Sequence, residues 1–317
     1  MKFISLLKNW SLPISMLTGI LGYFIYVSLP FLAPTKFFVA EVVAYLQPIL
    51  LFCMLFLTFC RVKPTEMRPY RWHLLLALIQ LLSFGLLTYV LYLFPDTRWR
   101  SVIECAMLCL MCPTATACAV VTTKMGGSAT AVTTYTFIIN VIIAVIAPLL
   151  LPIAHPHAGL TFLPAFFRII HKVFPLLICP LLLAWLVRYC MPAVHRWCLR
   201  QKDLAFYLWS VSLAIAVATA CKALVHCGES AFYISFIAIA TMMCCMLQFG
   251  AGKQIGQYYG MRLEGGQSLG QKNTVFIMWL GYTFLDPVSV TAGGFYSIWH
   301  NLVNAYQLYK YRKGQSV

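Results

Sequence analysis

Acidic residues are few in this chain: eight Asp and Glu stand against 23 Lys and Arg in 317 residues, and charged residues of both signs make up only 10%. A soluble domain carries roughly 25%, so a water-facing fold is excluded. No polar stretch is long enough for a separate soluble domain. No basic run has the length expected of a nucleic-acid contact, even though the formal net charge is +15. The basic residues instead sit in short segments between apolar runs, where they set membrane topology. A disulfide framework is missing too. Most of the 13 cysteines lie inside apolar runs, among them Cys53, Cys60, Cys105, Cys109, Cys179, Cys244 and Cys245, where a thiol behaves as a small hydrophobe. Cys109-x-x-Cys112 has a metal-like spacing, but no histidine lies near it. No metal, cofactor or nucleic-acid partner is expected.

What fills the chain is apolar sequence, 62% of all residues, with a mean hydropathy of +0.83. The segment from Met1 to Ala33 carries two lysines and then an apolar run. That run is too long for a signal-peptide core and has no clear small-residue cleavage site, so it reads as a retained first span. Ten spans are expected, near 10–33, 40–60, 73–95, 101–123, 128–153, 166–189, 204–226, 230–249, 265–286 and 290–309. Each is long enough to cross a hydrocarbon core of about 30 Å. With the N-terminus inside, sixteen of the 23 Lys and Arg fall on the inner side, six on the outer side and one, Lys272, within a span. This asymmetry predicts an integral protein of the cell (inner) membrane with both termini cytoplasmic.

Two spans are interrupted. The fourth contains Cys112-Pro113-Thr114-Ala115-Thr116-Ala117-Cys118, and the ninth contains Ser268-Leu269-Gly270-Gln271-Lys272-Asn273-Thr274. Pro113 removes a backbone donor, and the amides and carbonyls freed at such a break need partners from a neighbouring helix, water or a ligand. Each broken span is the fourth of a group of five, and the two run in opposite directions. The pattern predicts an all-α membrane protein of ten helices in two inverted five-helix repeats, about 1–155 and 160–317, forming one transmembrane domain. The broken helices 4 and 9 would cross near the midplane, where transporters of this kind hold substrate.

Lys272 is the sharpest feature, because an ammonium inside a bilayer costs on the order of several kcal/mol unless it is paired, hydrated or functional. Snorkelling to the headgroups is open to it, but Gln271, Asn273 and Thr274 beside it are also polar, and a lipid-facing helix would not cluster them. Gln80 lies among leucines and reads as an interhelical hydrogen bond. Glu104 is expected to pair with Arg98 or Arg100 at the outer interface. His300-Asn301 in the last span reads as the lining of a polar cavity, the remaining histidines as solvated, and Trp72, Trp197 and Tyr189 as interface anchors.

At these positions the chain resembles the bile acid:sodium symporter family. Cys112-Pro113 and the small residues after it resemble that family's Cys-Pro-Gly-Gly-Thr-Ala-Ser-Asn crossover. Gly126-Gly127 and then Ala147-Pro148-Leu149-Leu150-Leu151-Pro152 resemble the next helix and its Pro-Leu-Leu-x-Pro end. Gly270-Gln271-Lys272-Asn273 resembles the second crossover, Glu-x-Gly-Met-Gln-Asn, and Trp299-His300-Asn301-Leu302 matches Trp-His-Asn-Leu. Order and spacing agree over nearly the whole chain. The resemblance implies a core and a panel with alternating access around the crossing helices. It also implies a substrate cavity lined by Thr116, Asn273, His300 and Asn301.

The departures concern sodium. The family's glutamate corresponds to Ser268, its second-crossover glutamine to Lys272, its Ser-Asn pair to Cys118-Ala119 and a serine of the fifth span to Val132; Gln80 and Thr136 keep the family's residue types. A hard cation wants several oxygen ligands, preferably with a carboxylate, and here the carboxylate is gone and a cation added. The expectation is a secondary transporter of a small organic anion, such as a carboxylate or sulfonate, in which the Lys272 ammonium takes the place of sodium. The amine would tie the crossing helices together through Gln80, carbonyls and the hydroxyls near it. Release and recapture of its proton would couple transport to protons; a fixed charge would support uniport or exchange. Half-helix N-termini together with the ammonium favour an anion. The site set is thus Ser268, Gly270, Gln271, Lys272, Asn273, Thr114, Thr116, Cys118, Gln80, Thr136, His300 and Asn301. A sodium-coupled organic anion symporter and a non-transporting metabolite receptor stay open. A cation/proton exchanger lacks its intramembrane acid, and an enzyme built on Cys112, Cys118 and His300 lacks an acid to orient the imidazole.

Overall fold

The computed structural model describes residues 11–156, 162–201, 204–226 and 228–315. Lys2, Lys8 and Lys202, counted in the charge asymmetry, lie outside them, as do the start of the first expected span and the expected start of the second repeat. The described chain is helical, and among its residues only an isolated β-bridge pairs extended backbone. In order the α-helices are α1 (Ser11–Ser28), α2 (Lys36–Cys60), α3 (Arg71–Leu93), α4 (Arg100–Met111), α5 (Cys118–Lys124), α6 (Ala129–Ala154), α7 (Phe162–Cys190), α8 (Pro192–Arg200), α9 (Leu204–His226), α10 (Ala231–Tyr258), α11 (Arg262–Gly270), α12 (Thr274–Phe284) and α13 (Thr291–Arg312). Among the described residues six helical segments are long and apolar enough to cross a membrane: Pro30–Cys60, Arg71–Leu93, Ala129–Ala154, Phe162–Cys190, Tyr207–His226 and Ala231–Tyr258. They fit an integral membrane protein that crosses the bilayer several times.

α3 shows how such helices divide their faces. Trp72, Leu76, Gln80, Phe84 and Thr88 recur every fourth residue and are buried, whereas Leu74, Leu78, Leu82 and Leu86 form the opposite, exposed stripe. Residues four apart share a helix face. An outward stripe of leucine suits hydrocarbon, because lipid leaves nothing to gain from hiding it. Trp72 thus departs from its expected role as a headgroup anchor: it is fully buried, with its ring stacked 6.4 Å from that of Tyr135.

The helices that carry the two breaks are held by close packing. α10 and α11 form the most extensive helix pair among the described residues. Gly252 and Gly256 of α10 face Gly265 of α11 so closely that a Cβ on any of the three would collide with the opposite backbone; small residues spaced by four let membrane helices approach in this way. Gly260, at φ 68°, makes the left-handed turn that reverses the chain between them. α10 therefore runs to Tyr258 rather than ending near residue 249. Lys253, which reads as a loop charge in the sequence, is helical, and its stem lies beside Gly266. α2 packs on α7 and α9, and α1 on α9.

Candidate functional site

Two helices are broken, and the breaks meet. α4 stops at Met111 and α5 begins at Cys118; α11 stops at Gly270 and α12 begins at Thr274. The connecting strands run antiparallel and pair Thr114 with Lys272. The Ala115 amide donates to the Gln271 carbonyl at 3.0 Å and the Asn273 amide to the Pro113 carbonyl at 2.9 Å. Thr114 Oγ1 donates to the Ser268 carbonyl at 2.6 Å, Cys118 Sγ to that of Gln267 at 3.1 Å and Cys112 Sγ to that of Asn273 at 3.0 Å. Backbone groups orphaned by each break are thereby satisfied largely by the other, as a water-poor interior demands. Asn273 also caps α12, its Oδ1 accepting from the Phe276 amide at 3.2 Å.

Lys272 lies at the centre and is fully buried. Its Nζ is enclosed by protein and donates to Gln80 Oε1 at 2.8 Å. Gln80 is a junction. Its Nε2 donates to the carbonyls of Met111 at 2.7 Å and Cys112 at 2.9 Å, closing the frayed end of α4, while its Oε1 also accepts from the Tyr135 hydroxyl at 3.1 Å. The end of a helix carries partial negative charge, so the ammonium is tied through one amide to a helix terminus that suits it. An ammonium has three donors. Among the described residues Gln80 is the only hydrogen-bond acceptor of Nζ, and no carboxylate is paired with it. Two of the hydrogen-bonding positions on this amine are left without a partner among the described residues.

The opposite break has a matching junction. Gln248 of α10 donates through Nε2 to the Cys109 carbonyl at 3.3 Å and to the Tyr296 hydroxyl at 2.9 Å. Tyr296 in turn donates to the Gly270 carbonyl at 2.8 Å, closing the end of α11. A glutamine and a tyrosine thus brace each broken helix. Next to them runs a second polar network: Gln267 Nε2 donates to Asn304 Oδ1 at 3.1 Å and Gln307 Oε1 at 2.7 Å, and Gln271 Nε2 donates to Gln267 Oε1 and to Asn304 Oδ1 at 3.2 Å.

The residues singled out from the sequence divide accordingly. Ser268, Gly270, Gln271, Lys272, Asn273, Thr114, Cys118 and Gln80 converge on the crossing. The Ser268 hydroxyl is buried there without a partner, and a Cβ on Gly270 would strike the Phe249 ring. Thr116 is half-buried in the first connecting strand. Thr136, next to Tyr135, bonds back to the Val132 carbonyl at 2.9 Å. His300 packs edge-on against Tyr296 with ring centroids 5.7 Å apart, its Nδ1 unpartnered, and Asn301 bonds back to the Ser297 carbonyl at 2.7 Å. These last two stand one layer behind the crossing. Tyr135, Gln248, Tyr296, Gln267, Asn304 and Gln307 escape a reading of the sequence. The clearest available signal is the Gln267/Gln271 pair, four residues apart on one face of α11.

Glu104 pairs with Arg100 at 3.0 Å, as expected; its side chain is fully buried, and it also holds His155 at 2.9 Å, a histidine expected to be solvated. Glu104, His155 and Asp286 have ligand atoms within 4.8 Å of one another and form the one metal-like cluster among the described residues. Arg100 already supplies a cation to the same Glu104 oxygen that His155 contacts. The chain matches no known family model and no curated protein.

Proposed function

We propose that this protein is a secondary transporter of a small organic anion, a divergent relative of the bile acid:sodium symporters in which Lys272 stands in place of sodium. Ten membrane crossings in two inverted repeats, with both ends cytoplasmic, would provide alternating access around the crossing of α4–α5 with α11–α12. One observation carries the reading: a fully buried ammonium, bonded to one amide and to no acid, sits where two broken helices meet. Such a charge is costly without a partner, and an anion supplies one. Broken helices facing each other are the arrangement that carriers use for substrate. The Gln80–Tyr135 brace at the first break and the Gln248–Tyr296 brace at the second support an internal repeat, since α3 and α10 would occupy equivalent places in the two halves.

A carrier fits these contacts better than an enzyme does. Both crossing thiols donate to backbone carbonyls, while the imidazole of His300 is packed on Tyr296. The test is a thermal-shift series on purified protein in sodium-free buffer with taurocholate, pantoate and pyruvate, each against its neutral amide or ester. At least one anion is expected to raise the melting temperature by several degrees, the size of a shift of a few kcal/mol at saturating ligand, with its neutral counterpart silent. Equal shifts from the charged and neutral forms would remove the ammonium from the recognition step.

A further inference from the structure

Glu104, His155 and Asp286 come from three parts of the chain and meet at one end of the helices. Glu104 lies one turn into α4, His155 caps the end of α6, and Asp286 opens the short 3-10 helix (Pro287–Val290) that follows α12. One ligand atom from each lies within 4.8 Å of the other two. This is no exposed acidic patch. The Glu104 side chain is fully buried, that of His155 is 19% exposed, and Asp286 is half-buried. The donors are also chemically mixed, one imidazole nitrogen and two carboxylates. His155 Nδ1 and Glu104 Oε1 are 2.9 Å apart, close to the ~3.3 Å between two corners of a tetrahedral site with bonds of about 2.0 Å.

The charges around the three point the same way. Arg100 Nε contacts Glu104 Oε1 at 3.0 Å, and its two terminal nitrogens hold the carbonyls of Pro95 at 2.8 Å and Ala154 at 2.5 Å. The guanidinium neutralises one carboxylate and is anchored independently of it. Asp286 has no such partner: among the described residues no lysine or arginine pairs with it, and its side chain does not cap its own helix. Two carboxylates against one guanidinium leave a negative charge in a half-enclosed place, where an unpaired charge is costly. A divalent cation offsets it. Arg100 and, more weakly, the Ser289 hydroxyl at 3.4 Å orient Glu104 from outside, as the groups around a metal's carboxylate ligand do. Imidazole combined with carboxylate suits zinc and its first-row neighbours, whereas Ca²⁺ and Mg²⁺ take oxygen ligands. We propose that Glu104, His155 and Asp286 form a Zn²⁺ site with one coordination position open. The proposal departs from the expectation of no metal, because ligands on three separate elements leave no spacing to read in the sequence. Glu104 stands on α4, which leads into the first break, and Asp286 just past α12, which follows the second. A bound ion joins the two halves at this end. As a binding site the proposal stands alone; as a brake on transport it rests on the carrier reading.

The test uses tag-free, full-length protein in zwitterionic nanodiscs, titrated with Zn²⁺ against a chromogenic chelator, empty discs being subtracted. Wild type is expected to take one equivalent of Zn²⁺ from the chelator. Asp286→Asn and His155→Gln are each expected to weaken binding at least about tenfold, since losing even an outer partner of a ligand costs about 10–100-fold. Asp286→Asn keeps the shape of a side chain that no basic residue holds, so its folding is not in question. His226→Gln, at an exposed histidine elsewhere, is expected to bind as wild type does. A large excess of Ca²⁺ or Mg²⁺ is expected not to displace the ion. Co²⁺ in its place is expected to show ligand-field bands without thiolate charge transfer, which separates this site from the cysteines. Wild type that takes no Zn²⁺, Asp286→Asn and His155→Gln that bind as wild type does, displacement by Ca²⁺ or Mg²⁺, or a thiolate band at the first equivalent would each overturn the proposal. In proteoliposomes with Zn²⁺ on both faces, wild-type uptake is expected to slow and that of Asp286→Asn to be spared. One-to-one binding in a protein that moves no anion would remove the carrier reading and leave the site standing; unchanged uptake with the site filled would overturn the brake alone.

Discussion

Replacing Lys272 with methionine is expected to reduce anion uptake into proteoliposomes at least about 100-fold while leaving the protein folded. The two halves of that result have different causes. Methionine keeps much of the length of the side chain and fills the buried space with a flexible apolar group, so packing against the first connecting strand is retained. It also removes a charge that is expensive to bury, and exchanging buried ionic groups for apolar ones of similar volume is often neutral or stabilising. What disappears is the positive charge and the two donors left free beside Gln80. A charge-assisted contact of this kind contributes about 1.5–3 kcal/mol, so losing both removes at least about 3 kcal/mol, which corresponds to a fall of about 100-fold or more. Melting of the variant in detergent at or above the wild-type temperature, together with lost uptake, is the expected pair of results.

Gln80→Leu is expected to do the opposite to stability. One amide closes the carbonyls of Met111 and Cys112, holds the Tyr135 hydroxyl and carries the Lys272 ammonium. Leucine abandons all four groups in a site without carboxylates. A buried group left unsatisfied costs about 1–3 kcal/mol, and an uncompensated buried charge costs more. Partial relaxation keeps the sum near 3–5 kcal/mol, enough to unfold a marginal protein. The two changes are coupled. Adding Lys272→Met to Gln80→Leu removes the stranded charge and should return about half of the loss. Additive behaviour in that cycle would mean that the 2.8 Å contact contributes nothing.

The two breaks were legible because each puts polar residues, glycine or proline where a membrane helix needs apolar ones, so Pro113 and the run from Ser268 to Thr274 stand out against their surroundings. Their pairing was not. Nothing local in either segment encodes that Thr114 lies opposite Lys272, since register between stretches so far apart in the chain is set by how the helices pack. Gln80 was visible as a polar residue among leucines, but not as a four-way junction. Tyr135, Tyr296 and Gln248 carry as much of the geometry but give no signal in the sequence, because tyrosine and glutamine in apolar helices have ordinary explanations at helix ends and between neighbours. Charge is ambiguous at two places: Lys253 reads as a loop residue although α10 continues through it over a glycine-lined contact, and Glu104 reads as a partner of Arg98 or Arg100, which holds for Arg100, but gives no sign that His155 shares it. In each case a partner distant in sequence changed the meaning of a residue.

If the Lys272 amine has replaced the metal ion, transport should not need that ion. The decisive measurement is uptake of an anion selected by the thermal-shift series, in wild-type proteoliposomes, with an inward sodium gradient and with sodium replaced throughout by choline. The expected result is the same initial rate in both. A rate that collapses in choline would place a sodium ion back at the crossing and contradict the role assigned to Lys272.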